Sequence, residues 1–440
     1  MNIYKTNINK LLYIFLTIHL ILWTFVPALT NHNLPLDTIE ALAWGNNLDW
    51  GFNKHPPGKA FFVEVFYHLF GNQDWAYYLL SQIFVTFSFF IVWKFSNEFL
   101  GNKYFALFSV LLLEAIYFYN FTSPEFNVNV CQLPFWTLTV YYSWKLYSKK
   151  NIDVKECVLL GAFAAGGFLS KYLFIYLLIP IGLLFFYLIF LKKDRKYNLN
   201  YLISLLVFTV LLIPHIIWLI NNDYVTVVYG LHRTGLSEPN FIDHFKYPFV
   251  FLIKQIGVLI PFFILGLFLT SKLKFNLNFT DKKLHFLLAI NIAPIILILL
   301  TSLVLGVKIR TMWMVPFYLF FGTLLIYIFQ KQINLKKIKK FYVTFIFLFL
   351  ISPIIYAYIS INQTDKRTDY PGKEIADKVQ KKWNLEFGEP INVVLGNEWN
   401  AGNLSYHLKS RPIWEGEIDK SKLDSYKMFI CIDNICVGNK

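Results

Sequence analysis

Between Asn31 and Ala60 the chain reads NHNLPLDTIEALAWGNNLDWGFNKHPPGKA, the densest run of polar and aromatic residues in its first half. Asp37 and Glu40 are three residues apart, so a helix puts them on one face, with Trp44 a turn further along. Carboxylates placed in this way can take a proton from a hydroxyl or face a developing positive charge. Trp50-Gly51 and Lys54-His55-Pro56-Pro57-Gly58-Lys59 follow, and the paired prolines stiffen the stretch. A third acid stands in Thr122-Ser123-Pro124-Glu125-Phe126-Asn127-Val128-Asn129. Ser123 can cap a helix there, Pro124 suits its first turn, and Glu125 complements its dipole. Capping alone would account for Glu125. Asn127 and Asn129, which enter an otherwise apolar span beside it, favour a site.

The matching cations lie far apart in sequence. Lys171-Tyr172 follows the small-residue stretch Gly161–Ser170, which lets helices approach closely. Arg233 lies between His232 and Thr234, and Lys308 and Arg310 precede Trp313 and Pro316. A lysine or arginine fork in such places can hold a phosphate or a carboxylate. Snorkelling would equally explain Lys171, and plain surface would explain Arg233.

Long apolar elements must position these residues. The chain has 440 residues, 56% hydrophobic and 15% charged, where a soluble globular protein carries roughly 25% charged residues. Apolar windows long enough to cross a bilayer recur near 11–29, 76–94, 103–120, 125–147, 154–170, 172–191, 200–220, 249–270, 284–305, 312–329 and 341–359. This is a polytopic α-helical membrane protein with about eleven transmembrane helices. The pair 154–170 and 172–191 also fits one long broken helix. The net charge of +14 gathers in alternate loops: Lys145, Lys149, Lys150 and Lys155; Lys192, Lys193, Arg195 and Lys196; Lys272, Lys274, Lys282 and Lys283; Lys331, Lys336, Lys337, Lys339 and Lys340. The positive-inside rule makes those loops cytoplasmic, together with Lys5 and Lys10, and so excludes a nucleic-acid reading. The first polar loop (30–75), Glu125, Lys171, Arg233, Lys308 and Arg310 then face outward. Within that loop, Phe61–Phe70 is too short to span, and Glu64 with His68 at i,i+4 suits an interfacial helix or the buried start of span two. Glu114, deep in span three, is expected to line a cavity or to make a structural hydrogen bond.

Residues 1–361 form the membrane unit. From residue 362 the chain turns polar, with Ile375, Val379 and Trp383 at helical spacing and strand-like runs at 391–395 and 428–432. These predict a small extracytoplasmic α/β domain over 362–440. Cys431 and Cys436 lie there and can pair, whereas Cys131 and Cys157 read as packing residues. No metal-ligand spacing is present; cofactors stay unknown, with a divalent metal left open.

Taken in order, these motifs resemble the polyprenyl-phosphate-dependent glycosyltransferases of the GT-C membrane fold. That family includes protein O-mannosyltransferases and the transferases that add aminoarabinose, galactosamine or galacturonic acid to lipid A. The resemblance rests on Leu36-Asp37-x-x-Glu40, the Trp50–Gly58 stretch, Pro124-Glu125, Leu169-Ser170-Lys171-Tyr172, Lys308-x-Arg310 with Trp313-x-x-Pro316, and Gly396-Asn397-Glu398-Trp399 with Ser405-Tyr406-His407-Leu408. Two departures stand out. The family's first acidic pair is often adjacent, and the residue after its span-four proline is often Asp.

The resemblance implies a transferase at the outer face of a bacterial-type inner membrane, inverting the anomeric centre. Its donor would be a polyprenyl-phosphate sugar and its acceptor a lipid A, glycan or protein, with lipid A favoured. It implies Asp37, Glu125 and Glu40 as catalytic acids. Lys54, His55, Lys171, Arg233, Lys308 and Arg310 would bind the phosphate, and Trp44, Trp50, Asn127, Tyr172 and Trp313 would line the substrate cavity. The competing class is a flippase or transporter, since intramembrane acids also mark transport sites. No half-chain repeat supports it. A structural subunit, whose acids would tolerate alanine, is the third reading.

Overall fold

The computed structural model describes residues 7–149, 151–192, 198–236, 240–270, 274–275, 277–335, 338–419, 421, 425–432 and 434–439. Of the basic loop residues above, Lys5, Lys150, Lys193, Arg195, Lys196, Lys272, Lys336 and Lys337 lie outside the described residues. The membrane unit runs through α1 (Ile8–Thr30), α2 (Leu36–Gly45), α3 (Gly58–Phe70), α4 (Asp74–Leu100), α5 (Lys103–Leu111), α6 (Val128–Cys131), α7 (Leu133–Ser148) and α8 (Val154–Ser170). It continues with α9 (Ile175–Phe186), α10 (Asn200–Asn221), α11 (Val225–Thr234), α12 (Asp243–Leu267), α13 (Lys282–Asn291), α14 (Ala293–Leu305), α15 (Phe321–Phe329) and α16 (Lys339–Asn362).

Helices α1, α4, α10, α12, α16 and the stretch Tyr172–Leu191 are each long and apolar enough to cross a membrane. Two further pairs are bent: α13 with α14 by 41°, and Thr311–Tyr318 with Phe321–Gln332 by 53°. Two expected spans are broken, and a third keeps its expected bounds. The span at 103–120 leaves α-helix after Leu111 and continues as 3₁₀ turns around Glu114. The one at 125–147 begins only at Val128 and is interrupted at Gln132, one residue before Leu133-Pro134 opens α7. The one at 154–170 is a 17-residue helix. The region 154–191 is two elements, because Lys171 is extended (φ −165°, ψ 133°) and breaks the helical path. The small residues of α8 act as expected: a Cβ on Gly161 would come within 2.4 Å of the Ser204 carbonyl on α10.

Glu114 makes a structural contact. Its carboxylate lies 3.0 Å from His19 Nδ1 and also accepts from Asn120. That pairing fills the cost of an acid buried among apolar helices.

The polar tail folds as α17 (Gly372–Glu386), β1 (Val393–Gly396), α18 (Glu398–His407), β2 (Ile413–Trp414), β3 (Met428–Ile432) and β4 (Ile435–Asn439). The sheet order is β2-β1-β4-β3, parallel only between β1 and β2. Val379 and Trp383 of α17 are buried with Val394, Leu404 and Val437, and Ile375 packs at the edge of that core. Cys431 and Cys436 are directly opposite in the β3–β4 hairpin and are disulfide-bonded, whereas Cys131 and Cys157 are free and buried.

This unit sits where α1 and α16 end. Ser360 bonds Asn31, and the amides of His32 and Asn33 donate to the Thr368 carbonyl. Helix α18 lies on α2 so closely that a Cβ on Gly402 would stand 3.0 Å from the Ile39 carbonyl. Arg411 clamps the contact: it donates to Glu64 of α3 at 2.7 Å and to the Leu42 carbonyl at 2.9 Å, and lies 3.7 Å from the Tyr67 ring centre. Glu64, whose spacing from His68 suits an interfacial helix, lies 3.5 Å from that imidazole and 2.7 Å from Arg411, which it anchors. Breaking a buried ion pair on one side typically costs about 3 kcal/mol. Arg411→Ala should therefore lower the thermal midpoint of the detergent-purified protein by several degrees. An unchanged melt would mean that the clamp contributes nothing.

Candidate active site

Helix α2 carries the first acids, and its start needs a cap. Pro35 stands at the N-cap and gives no side-chain hydrogen bond, so the first amides require partners from elsewhere. Glu125, from the loop before α6, supplies one: its Oε1 accepts the backbone N–H of Asp37 at 3.0 Å. Glu125 is thus a helix cap, but of α2 rather than of its own helix, which Asn127 caps through the amides of Asn129 and Val130. Lys59 of α3 donates to the Asp37 carbonyl at 2.8 Å and lies 4.6 Å from the Trp44 ring centre, while Trp44 stacks on Phe52. Asp37 is thereby held at the mouth of a cavity.

That cavity, of about 500 Å³, is lined by Asp37, Glu40, Lys54 and His55 from the first loop and α2. Asn129, Lys171, Tyr172 and Tyr176 line it from the middle helices, as do Thr226, Tyr229 and Arg233 from α11. Thr301, Arg310 and Trp313 complete its polar rim, and Leu173, Ile175, Leu305, Val307 and Met312 give it an apolar flank. Lys171 is buried; its Nζ donates to Asn129 Oδ1 at 2.5 Å and lies 5.0 Å from the Trp313 ring centre. Tyr172 hydroxyl meets His215 Nε2 at 2.8 Å, and His215 Nδ1 meets the Trp50 carbonyl at 2.5 Å. Thr226 hydroxyl donates to the Phe52 carbonyl, so the first loop is strapped to α10 and α11.

The electrostatics separate the cations. Burial opposes the charge of Lys54, but hydrogen bonds to Glu398 and Glu40 outweigh it and raise its pKa. Its Nζ is 2.7 Å from Glu40 and also pairs with Glu398 of α18. Lys171 faces the opposite balance. Burial and nearby Arg310 push it down to about 7 against the pull of Asp37. Burial, then the charges of Lys59, Lys171, Lys54 and Arg233, hold His55 well below the ordinary imidazole range. His55 is therefore neutral at pH 7 and can serve as a hydrogen-bonding group, not as the cation expected of it. Glu125 is pushed up to about 7 by burial and by the charge of Asp37, against the pull of the Asp37 amide, Lys59 and Asn127.

Several expected residues stand apart from the cavity. Lys308 is exposed and does not line it; its amide donates to the Thr234 carbonyl. Trp50 is exposed and packs edge-on to Phe61. Trp44 and Asn127 are buried behind α2 and under α6, supporting the wall without forming it. Glu125 touches the Asp37 backbone but is not among the lining residues. Sequence reading did not single out Tyr176, Thr226 or Thr301, uncharged residues whose role comes only from the packing of distant helices. Among the described residues no group of three or more His, Cys, Asp or Glu could hold a metal ion.

Residues 54–218 match the family described as dolichyl-phosphate-mannose-protein mannosyltransferase. No curated protein matches the chain. Among solved structures, the fold is similar to ArnT from Cupriavidus metallidurans bound to undecaprenyl phosphate, at 13% identity and a TM-score of 0.62 over 93% of this chain and 87% of that one. The apo state of the same ArnT matches at 14% identity and a TM-score of 0.61, over 93% and 86% of the two chains. The motifs' resemblance is therefore found again in a family match through the middle of the membrane unit and in the GT-C fold of nearly the whole chain. The chain is a polytopic helical protein with the GT-C membrane fold.

The cap gives a test. Glu125→Gln keeps an acceptor for the Asp37 amide, whereas Glu125→Ala leaves that amide unpaired, at a cost of about 1–3 kcal/mol. A carboxyl whose folded pKa is raised binds its proton more tightly when folded. Wild-type protein should therefore lose stability relative to Glu125→Gln as pH rises from the usual carboxyl range towards about 7. Parallel melting curves for the two proteins across pH 4 to 8 would remove Glu125 from this role.

Proposed function

We propose that the chain is a membrane glycosyltransferase that takes a sugar from a polyprenyl-phosphate donor and passes it to an acceptor at the outer face of the membrane. The carrying observation is the cavity itself. Lys171, Arg233 and Arg310 surround it, Asp37 and Glu40 face it, and its flank is apolar. An anionic head with a lipid tail satisfies all three features at once. The buried Lys171 ammonium donates to an amide oxygen and faces an indole ring, with Asp37 acting on it through its charge, and an anion in the cavity would complete its partners.

In this reading the phosphate lies between Lys171 and Arg310, and Arg233 on α11 closes over it. As the glycosidic bond breaks, negative charge grows on the leaving phosphate, and these fixed cations stabilise it. Neutral His55 donates a hydrogen bond to the same group. Asp37, held by the Glu125 cap and by Lys59, faces the oxocarbenium-like carbon, as carboxylates do in glycoside chemistry. Attack from the opposite side inverts that carbon. The acceptor class is a lipid A, a surface glycan or a protein, with the first favoured. The lysine-rich loops at the far end of the helices, including Lys145, Lys149 and Lys282, favour that end as cytoplasmic. The cavity and residues 362–440 then lie outside.

A strain lacking the protein should lose one sugar from its lipid A or surface glycans and accumulate the polyprenyl-phosphate sugar, both read by mass spectrometry. Unchanged glycans and donor pools would overturn the reading. Asp37→Asn should lower turnover at least a hundredfold with little change in donor affinity, because it removes charge but keeps size. Equal turnover in the two proteins would take Asp37 out of the mechanism.

Lys171 adds a pH signature. Its free-protein pKa of about 7 means that above neutrality it must gain a proton to hold an anion. Affinity for undecaprenyl phosphate should therefore fall as pH rises above 7, by up to about tenfold per pH unit. Lys171→Met should bind more weakly at pH 7 and lose this extra slope, as measured by titration against wild type. Matching slopes would mean that Lys171 does not meet the phosphate.

A further inference from the structure

A second cleft, of about 720 Å³, opens between the C-terminal unit and α2. Glu40, Lys54 and Asn53 line it from the first loop and α2, and Glu398, Asn400 and Trp414 from the C-terminal unit. Glu40 and Lys54 also line the donor cavity. The bridge from Glu40 through Lys54 to Glu398 therefore borders both spaces through its first two members.

We propose that this cleft is the acceptor site, and that the group it takes is a carbohydrate hydroxyl rather than a phosphate; the assignment rests on the transferase reading above. The two spaces differ in charge. In the donor cavity Lys54, Lys171, Arg233 and Arg310 outnumber Asp37 and Glu40. In the cleft the carboxylates Glu40, Glu398 and Glu417 outnumber Lys54 and Arg367. Lys54 already serves two of those acids, and the Arg367 guanidinium lies 5.2 Å from the Trp399 ring centre. A phosphate entering here would meet more acid than base. A sugar would find carboxylate and amide acceptors for its hydroxyls and the half-buried ring of Trp414 for an apolar face.

The position of Glu40 completes the step. It is the acid of α2 that borders both spaces, and so it reaches an acceptor hydroxyl aimed at the donor. The acceptor oxygen forms a bond to the anomeric carbon, and that carbon's bond to the phosphate oxygen breaks. The electron pair leaves with the polyprenyl phosphate, and the hydroxyl proton passes to the Glu40 carboxylate. A phosphate acceptor would need no base, and an acid at the junction would repel it.

The linkage in the natural product tests this. Glycans and lipids from cells with and without the protein are compared, and the material that gains a sugar is treated with mild acid and examined by phosphorus NMR. The expected result is a glycosidic bond that survives the acid and shows no new phosphodiester signal. An acid-labile sugar phosphodiester would overturn the proposal while leaving the transferase reading intact. No sugar difference between the strains would remove both. Asn400→Trp and, at an exposed position, Asn53→Trp each fill the cleft without entering the donor cavity. Each should cut the product at least tenfold in cells, while the purified full chain binds undecaprenyl phosphate within twofold of wild type. Wild-type product levels in either folded variant would place the acceptor elsewhere.

Discussion

The seating of α2 is the constraint on which the rest of the site depends. A ten-residue helix is too short to hold itself in water, so it is fixed from every side. Glu125 caps its start, Lys59 holds the Asp37 carbonyl, and α18 lies on it through Gly402. Trp44 ties its end to Glu398 by an indole hydrogen bond of 3.3 Å. Asp37 and Glu40 owe their places to this frame. The polar tail, which reads in sequence as a separate small α/β domain, is thereby part of the frame that holds α2.

Charge is divided among neighbouring spaces with unusual economy. Lys54 is neutralised twice over, His55 is kept neutral by burial and then by the cations around it, and Lys171 is left with an amide and an aromatic face. Three adjacent basic groups thus have three different tasks: a structural bridge, a neutral donor and an incomplete cation. The incomplete one marks where an anion belongs, because burial of an unpaired ammonium is the most costly of the three arrangements. By the same logic the adjoining cleft, richer in acids, suits a hydroxyl group better than a phosphate.

The sequence made much of this legible, for physical reasons. Apolar run length exposes α1, α4, α10, α12 and α16, since a bilayer imposes it. Residues near the ends of spans, such as Asp37, Lys171 and Arg310, stand out because charge there is expensive. Other parts were hidden. Lys54 reads as a phosphate ligand until Glu398, far down the chain, is placed beside it. Glu125 reads as a catalytic acid, or else as the cap of its own helix, because nothing local shows that Pro35 leaves α2 uncapped. The broken elements at 103–120 and 125–147 read as plain spans, since hydropathy records composition and not the 3₁₀ turns around Glu114 or the interruption at Gln132. Thr226, Thr301 and Tyr176 carry no local signal, because only the packing of α9, α11 and α14 gathers them around one cavity.

The central claim is that the cavity beneath α2 is a lipid-phosphate site. A cryo-electron microscopy structure of the full chain in a lipid nanodisc with undecaprenyl phosphate tests it most directly. The account predicts phosphate density within hydrogen-bonding distance of Lys171 Nζ and the Arg310 guanidinium, with the prenyl chain leaving past Leu173, Ile175 and Leu305. Phosphate density away from both cations, with the cavity empty at saturating lipid, would contradict it.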